Sequence, residues 1–355
     1  MAEKFFAFES GKISIAVVNR IPSLGDTLIS KKVFDALIEL VPNCSVDVFY
    51  VKDVGAKYIQ AFYGQSKNLN RILNFQDYYQ NNSKNYDVAL RVWHNILIDN
   101  MNNRLLEEQA PELLKSLNRI NDYNKKNLQT NDVGIILRNI TRAHILGTNR
   151  YTCLSCDGAL PIRDNHVDIP LTTEGERQFQ ELNLNKSYIT IGSNLKNTGT
   201  LHRHTLKEWS TPYVIEYISL LNKKFPQKQI VQIGGGGVNI LPNADIYVID
   251  EDLELVKYVL KNSLLHVDCE SGLVHLATQL GTKCLVLFGP TDEKYFGFKE
   301  NLNLVSDFCR PCYQVWEKDS PCLRGEKEPP CMLRHTPQKV FEVTRKYLNR
   351  IRLKK

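Results

Sequence analysis

The residues whose types could do chemistry lie in short loops that follow predicted strands. The first loop contains "LGD" (Leu24–Asp26), in which Gly25 permits a tight turn and Asp26 stands where the next helix begins. A carboxylate at the end of a strand can act as a general base toward a substrate hydroxyl. A structural alternative stays open, because Asp is also a common N-cap residue of helices.

A second loop, within "HVDCESGLVHLATQLG" (His266–Gly281), has the features of a phosphate-binding turn. Gly272 is predicted to open a helix, and the N-terminal N–H groups and dipole of a helix favour phosphate. Glu270 and Ser271 flank this point and can hydrogen-bond sugar hydroxyls or a diphosphate. His275 lies one helical turn further on, where a ligand contact and a packed core histidine are both open interpretations.

Three further candidates lie after other strands. Ser193 directly follows the predicted strand Ser187–Gly192, and four consecutive glycines begin at Gly234. The glycines favour close approach of a ligand to the backbone, although they match neither the P-loop spacing nor the dinucleotide-binding pattern. Lys207 precedes a helix with a Ser/Thr cap, where it can neutralise a phosphate or be an ordinary exposed lysine.

Four of the nine cysteines lie close together near the C-terminus, as Cys309, Cys312, Cys322 and Cys331. Four thiolates can hold a zinc or iron ion in a tetrahedral site, and the Cys-x-x-Cys spacing of the first two supports this interpretation. The stretch has one such pair rather than two, so free thiols and disulfides stay open as alternatives.

Composition and charge bound the class of protein. A chain of 355 residues that is 43% hydrophobic and 24% charged favours two soluble domains. The N-terminus shows no secretory signal and no apolar run approaches the length of a membrane span, so we expect a cytoplasmic protein with reduced thiols. The net charge of +6 is concentrated in Arg345–Lys355. That segment is either the solvated face of a terminal helix or a surface attracted to anionic membranes.

Short apolar strands alternate with amphipathic helices along the chain, in two series. The first begins with the strand Lys12–Arg20 and the helix Thr27–Leu40, and a break rich in turn residues falls at Gly158–Glu176. The second begins with the strand Ser187–Gly192. Repeated βα units predict parallel sheets with helices on both faces, and ligands bind at the carboxyl ends of such strands. We therefore predict an α/β fold with two Rossmann-like domains facing a central cleft.

Taken together, these motifs resemble those of glycosyltransferase family 9, the heptosyltransferases. The resemblance rests on the Gly-Asp turn at Leu24–Asp26, the Lys-x-Trp at Lys207–Trp209, "ESGLVHLATQLG" from Glu270, and "VLFGPTD" ending at Asp292, in the family's order. It spans both halves of the chain. The C-terminal four-cysteine stretch is similar to that of the autotransporter heptosyltransferase subset, in which it holds iron.

The resemblance implies a GT-B fold with a defined domain layout. Residues 1–172 would form an N-terminal acceptor-binding domain, and residues 173–335 a nucleotide-sugar-binding domain that includes the Cys-rich segment 309–331. Residues 336–355 would form a C-terminal helix that returns to the first domain.

The resemblance also implies a chemistry: inverting transfer of a sugar from a nucleotide-diphosphate donor, with ADP-heptose as the family's donor, to a saccharide, lipid-linked or protein hydroxyl, as in lipopolysaccharide core assembly. No divalent metal would be required for transfer, and a structural zinc or iron could occupy the cysteine cluster. Asp26 would be the base and Lys207 would stabilise the departing diphosphate. The implied donor-binding residues are Ser193, Gly234, Glu270, Ser271, Gly272 and His275.

Three departures and two rival functions remain. Glu270 replaces the family's usual Asp, and the segment before Lys207 is long, so that Arg203 could share the role of this lysine. The region after the four glycines lacks the acidic residue that the family tends to place near the nucleotide, so the resemblance does not define the base. A cysteine site beside a basic tail is also compatible with a zinc-ribbon nucleic-acid-binding protein, and an inactive sugar-nucleotide-binding protein is a further alternative. Because the basic residues do not interleave with aromatic ones, we expect no nucleic-acid partner. Peripheral contact with the inner membrane surface stays open.

Overall fold

The computed structural model describes residues 11–21, 23–80, 83–127, 132–184, 186–192, 206–313, 322–326 and 328–352. The chain divides into two compact units, Met1–Pro170 and Leu171–Lys355. The division lies two residues before the predicted boundary between residues 172 and 173. The assignment of acceptor and donor roles to these units stays a prediction.

The first unit is built on a sheet whose described strands have the order β3-β2-β1-β4-β5. The strands are β1 (Ile13–Asn19), β2 (Cys44–Tyr50), β3 (Leu69–Asn74), β4 (Val88–Val92) and β5 (Ile96–Met101). The helices are α1 (Leu24–Leu40), α2 (Asp53–Tyr63), α3 (Phe75–Gln80), α4 (Asn103–Gln109), α5 (Pro111–Asn127) and α6 (Asp132–Leu146), with 3₁₀ turns at Ser83–Asn85 and Thr152–Ser155.

Strand β1 is the centre of this sheet. Each of its residues is buried, as expected for a parallel strand covered on both faces, and it pairs in parallel with β2 and β4. The chain moves outward from β1 through β2 to β3, and then returns to the other side of β1 with β4. The loops that follow β1 and β4 therefore lie at the switch point of the sheet, where open α/β sheets bind ligands.

The first sheet departs from the prediction of purely parallel sheets, because β5 pairs with β4 in antiparallel fashion. The two strands are joined by residues 93–95, and the N–H of Trp93 donates to the carbonyl of Asn95. A connection this short can form only a hairpin, since a parallel pair needs a crossover of a dozen residues or more.

The second unit carries a sheet of described strands in the order β11-β10-β9-β6-β7-β8, and its pairings are parallel. The strands are β6 (Tyr188–Gly192), β7 (Gln229–Gly234), β8 (Ile246–Ile249), β9 (His266–Cys269), β10 (Cys284–Phe288) and β11 (Leu302–Val305). The helices are α7 (Thr173–Glu181), α8 (Thr211–Lys224), α9 (Leu253–Lys261), α10 (Gly272–Gln279), α11 (Glu293–Phe296), α12 (Pro330–Leu333) and α13 (Pro337–Arg352). The switch point lies between β6 and β9. The predicted α/β class with two sheet-containing units is confirmed.

Helix α13 belongs to the core of the second unit. Val340 and Leu348 are buried in the same apolar cluster as Tyr217 of α8, and the Tyr217 hydroxyl lies 2.8 Å from Thr344 Oγ1. The apolar stripe of this helix, which includes Val340 and Leu348, thus packs on the second unit, while Lys346 and Arg350 are exposed. The predicted return of the helix toward the first unit stays a prediction. Among the described residues, no helix combines the length and apolar character needed to cross a bilayer.

Replacing Leu348 by Ala tests whether α13 is part of this core. We expect the free energy of unfolding to fall by about 3 kcal/mol, because a fully buried leucine leaves a cavity. Asn349→Ala, on the exposed face of the same turn, should change it by less than about 0.5 kcal/mol. Urea denaturation followed by tryptophan fluorescence measures both, and equal effects would show that the helix does not depend on its apolar stripe.

Candidate functional site

Asp26 lies in the first turn of α1, directly after β1 at the switch point of the first sheet. The N-cap is Ser23, whose Oγ accepts from the N–H of Asp26 at 3.0 Å and donates to Asp26 Oδ2 at 2.7 Å. The interpretation of Asp26 as the N-cap is therefore wrong. Because serine performs the capping, the other carboxylate oxygen is left for another partner.

That partner is Arg150, which sequence reasoning missed. Its Nη2 donates to Asp26 Oδ1 at 3.0 Å, although 124 residues separate the two. The arginine side chain is 2% exposed and the aspartate side chain 26% exposed. The thiol of Cys153 donates to the backbone carbonyl of Arg150 at 3.3 Å, which helps to fix the segment. Asp26 is thus held from both oxygens while its carboxylate still reaches solvent.

His94 lies in the loop after β4, on the other side of the switch point. It is buried, and both burial and the positive charge of Arg150 lower its pKa well below the ordinary value. The imidazole is therefore neutral at pH 7. The first unit accordingly places one carboxylate, one buried guanidinium and one neutral histidine near the carboxyl ends of β1 and β4.

Lys207 and Glu270 form the central interaction of the second unit. The lysine Nζ lies 2.9 Å from Glu270 Oε2, and their side chains are 20% and 9% exposed. Glu270 follows β9 and Lys207 lies in the connection from β6 to α8, so the pair sits at the carboxyl edge of two neighbouring strands. The interpretation of Lys207 as an ordinary exposed lysine is wrong.

Both partners stay ionised. Burial by itself raises the pKa of Glu270, but the charge of Lys207 and the nearby His275 outweigh it and lower the pKa to about 2. Burial lowers the pKa of Lys207, but the charge of Glu270 and its hydrogen bond, together with the neighbouring Tyr313 and Cys269, outweigh burial, so that the pKa ends above its ordinary value. The second unit therefore holds a fixed positive charge and a fixed negative charge side by side.

His275 is buried and turned toward this pair. Its Nε2 lies 3.7 Å from Glu270 Oε1, and its ring meets Phe298 edge to face at 5.2 Å between centroids. His275 is thus a packed core histidine that also borders the Glu270 carboxylate, and a contact with a ligand stays a prediction. A ligand that reaches Glu270 would meet His275 as its neighbour.

Residues directly before α10 cap the N-terminus of this helix. Ser271 is the N-cap, and its Oγ accepts from the N–H of Val274 and donates to Asp268 Oδ2 at 2.6 Å. Asp268 also accepts from the N–H of Cys269 at 2.7 Å. Gly272 opens the helix as predicted. The first N–H groups of a helix have no acceptor within it, so they are suited to bind an anion.

Of the remaining predicted donor residues, Gly234 is the one whose position the structure describes. Gly234 ends β7, and its carbonyl accepts from the N–H of Asp250 at 2.9 Å. Strand β7 is the neighbour of β6, one position away from the switch point. Ser193 and Arg203 lie outside the described residues.

None of the four C-terminal cysteines forms a disulfide bond within the part of the chain that the structure describes. Burial and the charges of its cysteine neighbours raise the pKa of Cys312, and the same causes raise that of Cys331 to about 12. Cys331 belongs to the apolar core of the second unit, and Cys309 packs partly against it. The thiols therefore lie near one another, and four thiols suit zinc or iron. Within the described residues, however, no group of three or more His, Cys, Asp or Glu is arranged to hold a metal ion.

Comparison with known proteins supports the architecture. The chain matches no protein-family model. It is 37% identical over 92 residues to lipopolysaccharide heptosyltransferase 1 of Pseudomonas aeruginosa, a match that covers 23% of this chain and 26% of that protein. The shared segment thus spans about a quarter of that relative.

Solved structures resemble nearly the whole chain at low sequence identity. ADP-heptose lipopolysaccharide heptosyltransferase II of E. coli has a TM-score of 0.56 at 12% identity, covering 96% of this chain and all of that one. A glycosyltransferase of family 9 from Veillonella parvula has a TM-score of 0.57 at 12% sequence identity. The match covers 97% of this chain and all of that one. The iron-containing dodecameric glycosyltransferase TibC from enterotoxigenic E. coli has a TM-score of 0.57 at 12% sequence identity. The match covers 96% of this chain and 77% of that one. The predicted GT-B fold and the resemblance to family 9 are confirmed; the autotransporter subset stays a prediction.

Gly192, at the end of β6, tests how tightly the switch point is packed. A Cβ on this residue would overlap the carboxylate of Asp268, which is tied to Ser271 and to the backbone of Cys269. We expect Gly192→Ala to lower the free energy of unfolding by about 2 kcal/mol. Gly235→Ala is the control, because a Cβ there meets no atom within 4 Å. Thermal melts that show equal effects of the two changes would contradict the packing.

Metal analysis tests the interpretation of the cysteine cluster as a metal site. If the four thiols close on an ion, protein purified without chelator should carry about one zinc or iron per chain. The double change Cys309→Ser and Cys312→Ser should remove it, whereas Cys44→Ser, at a buried cysteine of the first unit, should not. Absence of both metals from the unaltered protein would leave the cluster as free thiols.

Proposed function

We propose that the protein is an inverting glycosyltransferase that moves a heptose from ADP-heptose to a hydroxyl of a saccharide, lipid-linked or protein acceptor. The observation that carries the proposal is the ionised Lys207–Glu270 pair beside the N-terminus of α10, at the switch point of a parallel sheet. The fold supports it, since E. coli heptosyltransferase II and TibC share the architecture and TibC has been solved in complex with ADP-D-beta-D-heptose.

The leaving diphosphate is the group that this arrangement fits. Negative charge grows on it as the bond to the sugar breaks, and positive groups already in place stabilise that charge most effectively. The ammonium of Lys207 and the N–H donors at the N-terminus of α10 supply this positive charge. The proposal therefore assigns to protein groups the role that a divalent metal plays in other transferases, and transfer requires no such metal.

Glu270 is suited to the donor sugar. An ionised carboxylate only accepts hydrogen bonds, so it binds hydroxyl groups and repels the diphosphate. Its partner Lys207 can turn from Oε2 toward the phosphates without leaving the site, while Glu270 keeps a neighbour in His275. In this way the pair distinguishes the two ends of a nucleotide sugar.

Asp26 is assigned the role of general base in the first unit. Arg150 and Ser23 orient its two oxygens, and the partly exposed carboxylate can accept the proton of an acceptor hydroxyl. The hydroxyl oxygen bonds to carbon 1 of the sugar on the face opposite the diphosphate while the bond from carbon 1 to the diphosphate oxygen breaks, so the configuration inverts in one displacement. The proton passes to Asp26, and the diphosphate leaves as ADP. Arg150 is a positioning residue in this scheme, because it acts through Asp26.

The setting of the reaction is proposed from the surface of α13. Lys339, Lys346 and Arg350 are exposed on this helix, and such a face is attracted to anionic lipid headgroups. A cytoplasmic enzyme with peripheral contact to the inner membrane surface would meet a lipid-linked acceptor there.

Asp26→Asn tests the assignment of the base. Transfer from ADP-heptose to heptose-deficient lipopolysaccharide, followed as release of ADP, should fall by at least about a hundredfold, because the amide cannot take the proton. Binding of ADP should not change. Asp53→Asn is the control, since Asp53 also lies in the first turn of a helix of the same unit.

A calorimetric screen of ADP, UDP and GDP tests the function as a whole. We expect ADP to bind, with Lys207→Met weakening it by about tenfold or more through loss of a charged contact. Full transfer by Asp26→Asn would contradict the base assignment. Binding of none of the three nucleotides, together with salt-dependent binding of nucleic acid, would contradict the transferase and favour the zinc-ribbon alternative.

A further inference from the structure

Lys207 has a second neighbour besides Glu270. Its Nζ lies 5.1 Å from the ring centroid of Tyr313, within the range in which an ammonium is attracted to the face of an aromatic ring. Tyr313 directly follows Cys312, in the cysteine-rich segment. Sequence motifs did not point to this tyrosine, because it comes 106 residues after the lysine.

The backbone fixes the position of the tyrosine. The N–H groups of Cys312 and Tyr313 both donate to the carbonyl of Pro290, each at 2.9 Å. Pro290 lies in the turn after β10, the strand that neighbours β9. The backbone of Tyr313 is therefore anchored at the same sheet edge that carries Glu270.

The Pro290 turn is itself held firmly. His335 Nε2 lies 3.0 Å from the carbonyl oxygen of Phe288, and His335 is fully buried. A Cβ on Gly289 would collide with Met332 and come within 3.1 Å of Cys331 Sγ. The turn is thus packed against α12, and its carbonyl is a rigid anchor for the segment 312–313.

We propose that Tyr313 is a positioning residue of the donor site. Its ring holds the ammonium of Lys207 in place while the N–H groups of that ammonium turn from Glu270 to a diphosphate. The proposal rests on the proposed function. A lysine side chain is long and flexible, so a partner that attracts the charge without neutralising it keeps the ammonium directed into the site. A ring face does this, whereas a second carboxylate would compete with the diphosphate.

The test is the affinity for ADP, measured by calorimetry on the full chain. Tyr313→Leu should weaken binding by about tenfold, the size expected for a largely desolvated cation–ring contact. Tyr313→Phe keeps the ring and should stay within about twofold of the unaltered protein. Phe308→Leu is the matched control: it removes a ring from under Arg324 and Arg334 in the same segment, and should leave the affinity unchanged.

A double-mutant cycle separates positioning from a general structural role. In the Lys207→Met background, Tyr313→Leu should have no further effect on ADP affinity, because the charge that the ring holds is gone. An unchanged tenfold loss in that background, or equal losses for Tyr313→Phe and Tyr313→Leu, would overturn the proposal. If the Leu variant does not fold, Tyr313→Gln carries the same expectations.

The outcomes for the two proposals are distinct. If the unaltered protein binds none of ADP, UDP and GDP, the proposed function fails and the role of Tyr313 fails with it. If the unaltered protein binds ADP and Tyr313→Leu binds it equally well, only the role of Tyr313 is overturned.

Discussion

A partly buried lysine and a buried glutamate, 2.9 Å apart, form the central interaction of the second unit. Removing one member of such a pair leaves an uncompensated charge that costs about 3–5 kcal/mol, so each residue constrains the other. The pair can form only because β6 and β9 are neighbours, although Lys207 and Glu270 are 63 residues apart. The same strand order places the start of α10 beside them. Sheet topology, helix capping by Ser271 and the ion pair therefore converge on one patch that is suited to a phosphorylated sugar.

The first unit also has an ion pair at its switch point, but there the cation is the buried member instead of the carboxylate. There the carboxylate of Asp26 is the more exposed member and Arg150 is the buried one. A buried cation that donates to one carboxylate oxygen holds that carboxylate in a fixed orientation. In the second unit the carboxylate of Glu270 is the more buried member and Lys207 is the more exposed one. Each unit thus has a charge pair at its switch point, in which one partner is more exposed than the other.

Much of this organisation could be predicted from the sequence, because buried parallel strands and helix starts leave local patterns. The run "ISIAVVN" reads as a buried strand, and "ESGL" as a helix entry, without knowledge of the rest of the chain. The pairing of distant residues leaves no such pattern. Arg150 lies in a loop with no periodicity and meets Asp26 only through the fold. Ser23 displaced Asp26 as the cap because both are good capping residues and geometry decides between them. The short connection that makes β5 antiparallel also carried no strong turn signal.

The claim that Lys207 and the start of α10 bind the diphosphate is tested most directly by a crystal structure with bound ADP. We predict that the lysine Nζ lies about 3 Å from a β-phosphate oxygen, having turned away from Glu270 Oε2, and that backbone N–H groups at the start of α10 donate to the same phosphate. An ADP whose phosphates lie away from α10, with Lys207 still bound only to Glu270, would contradict it.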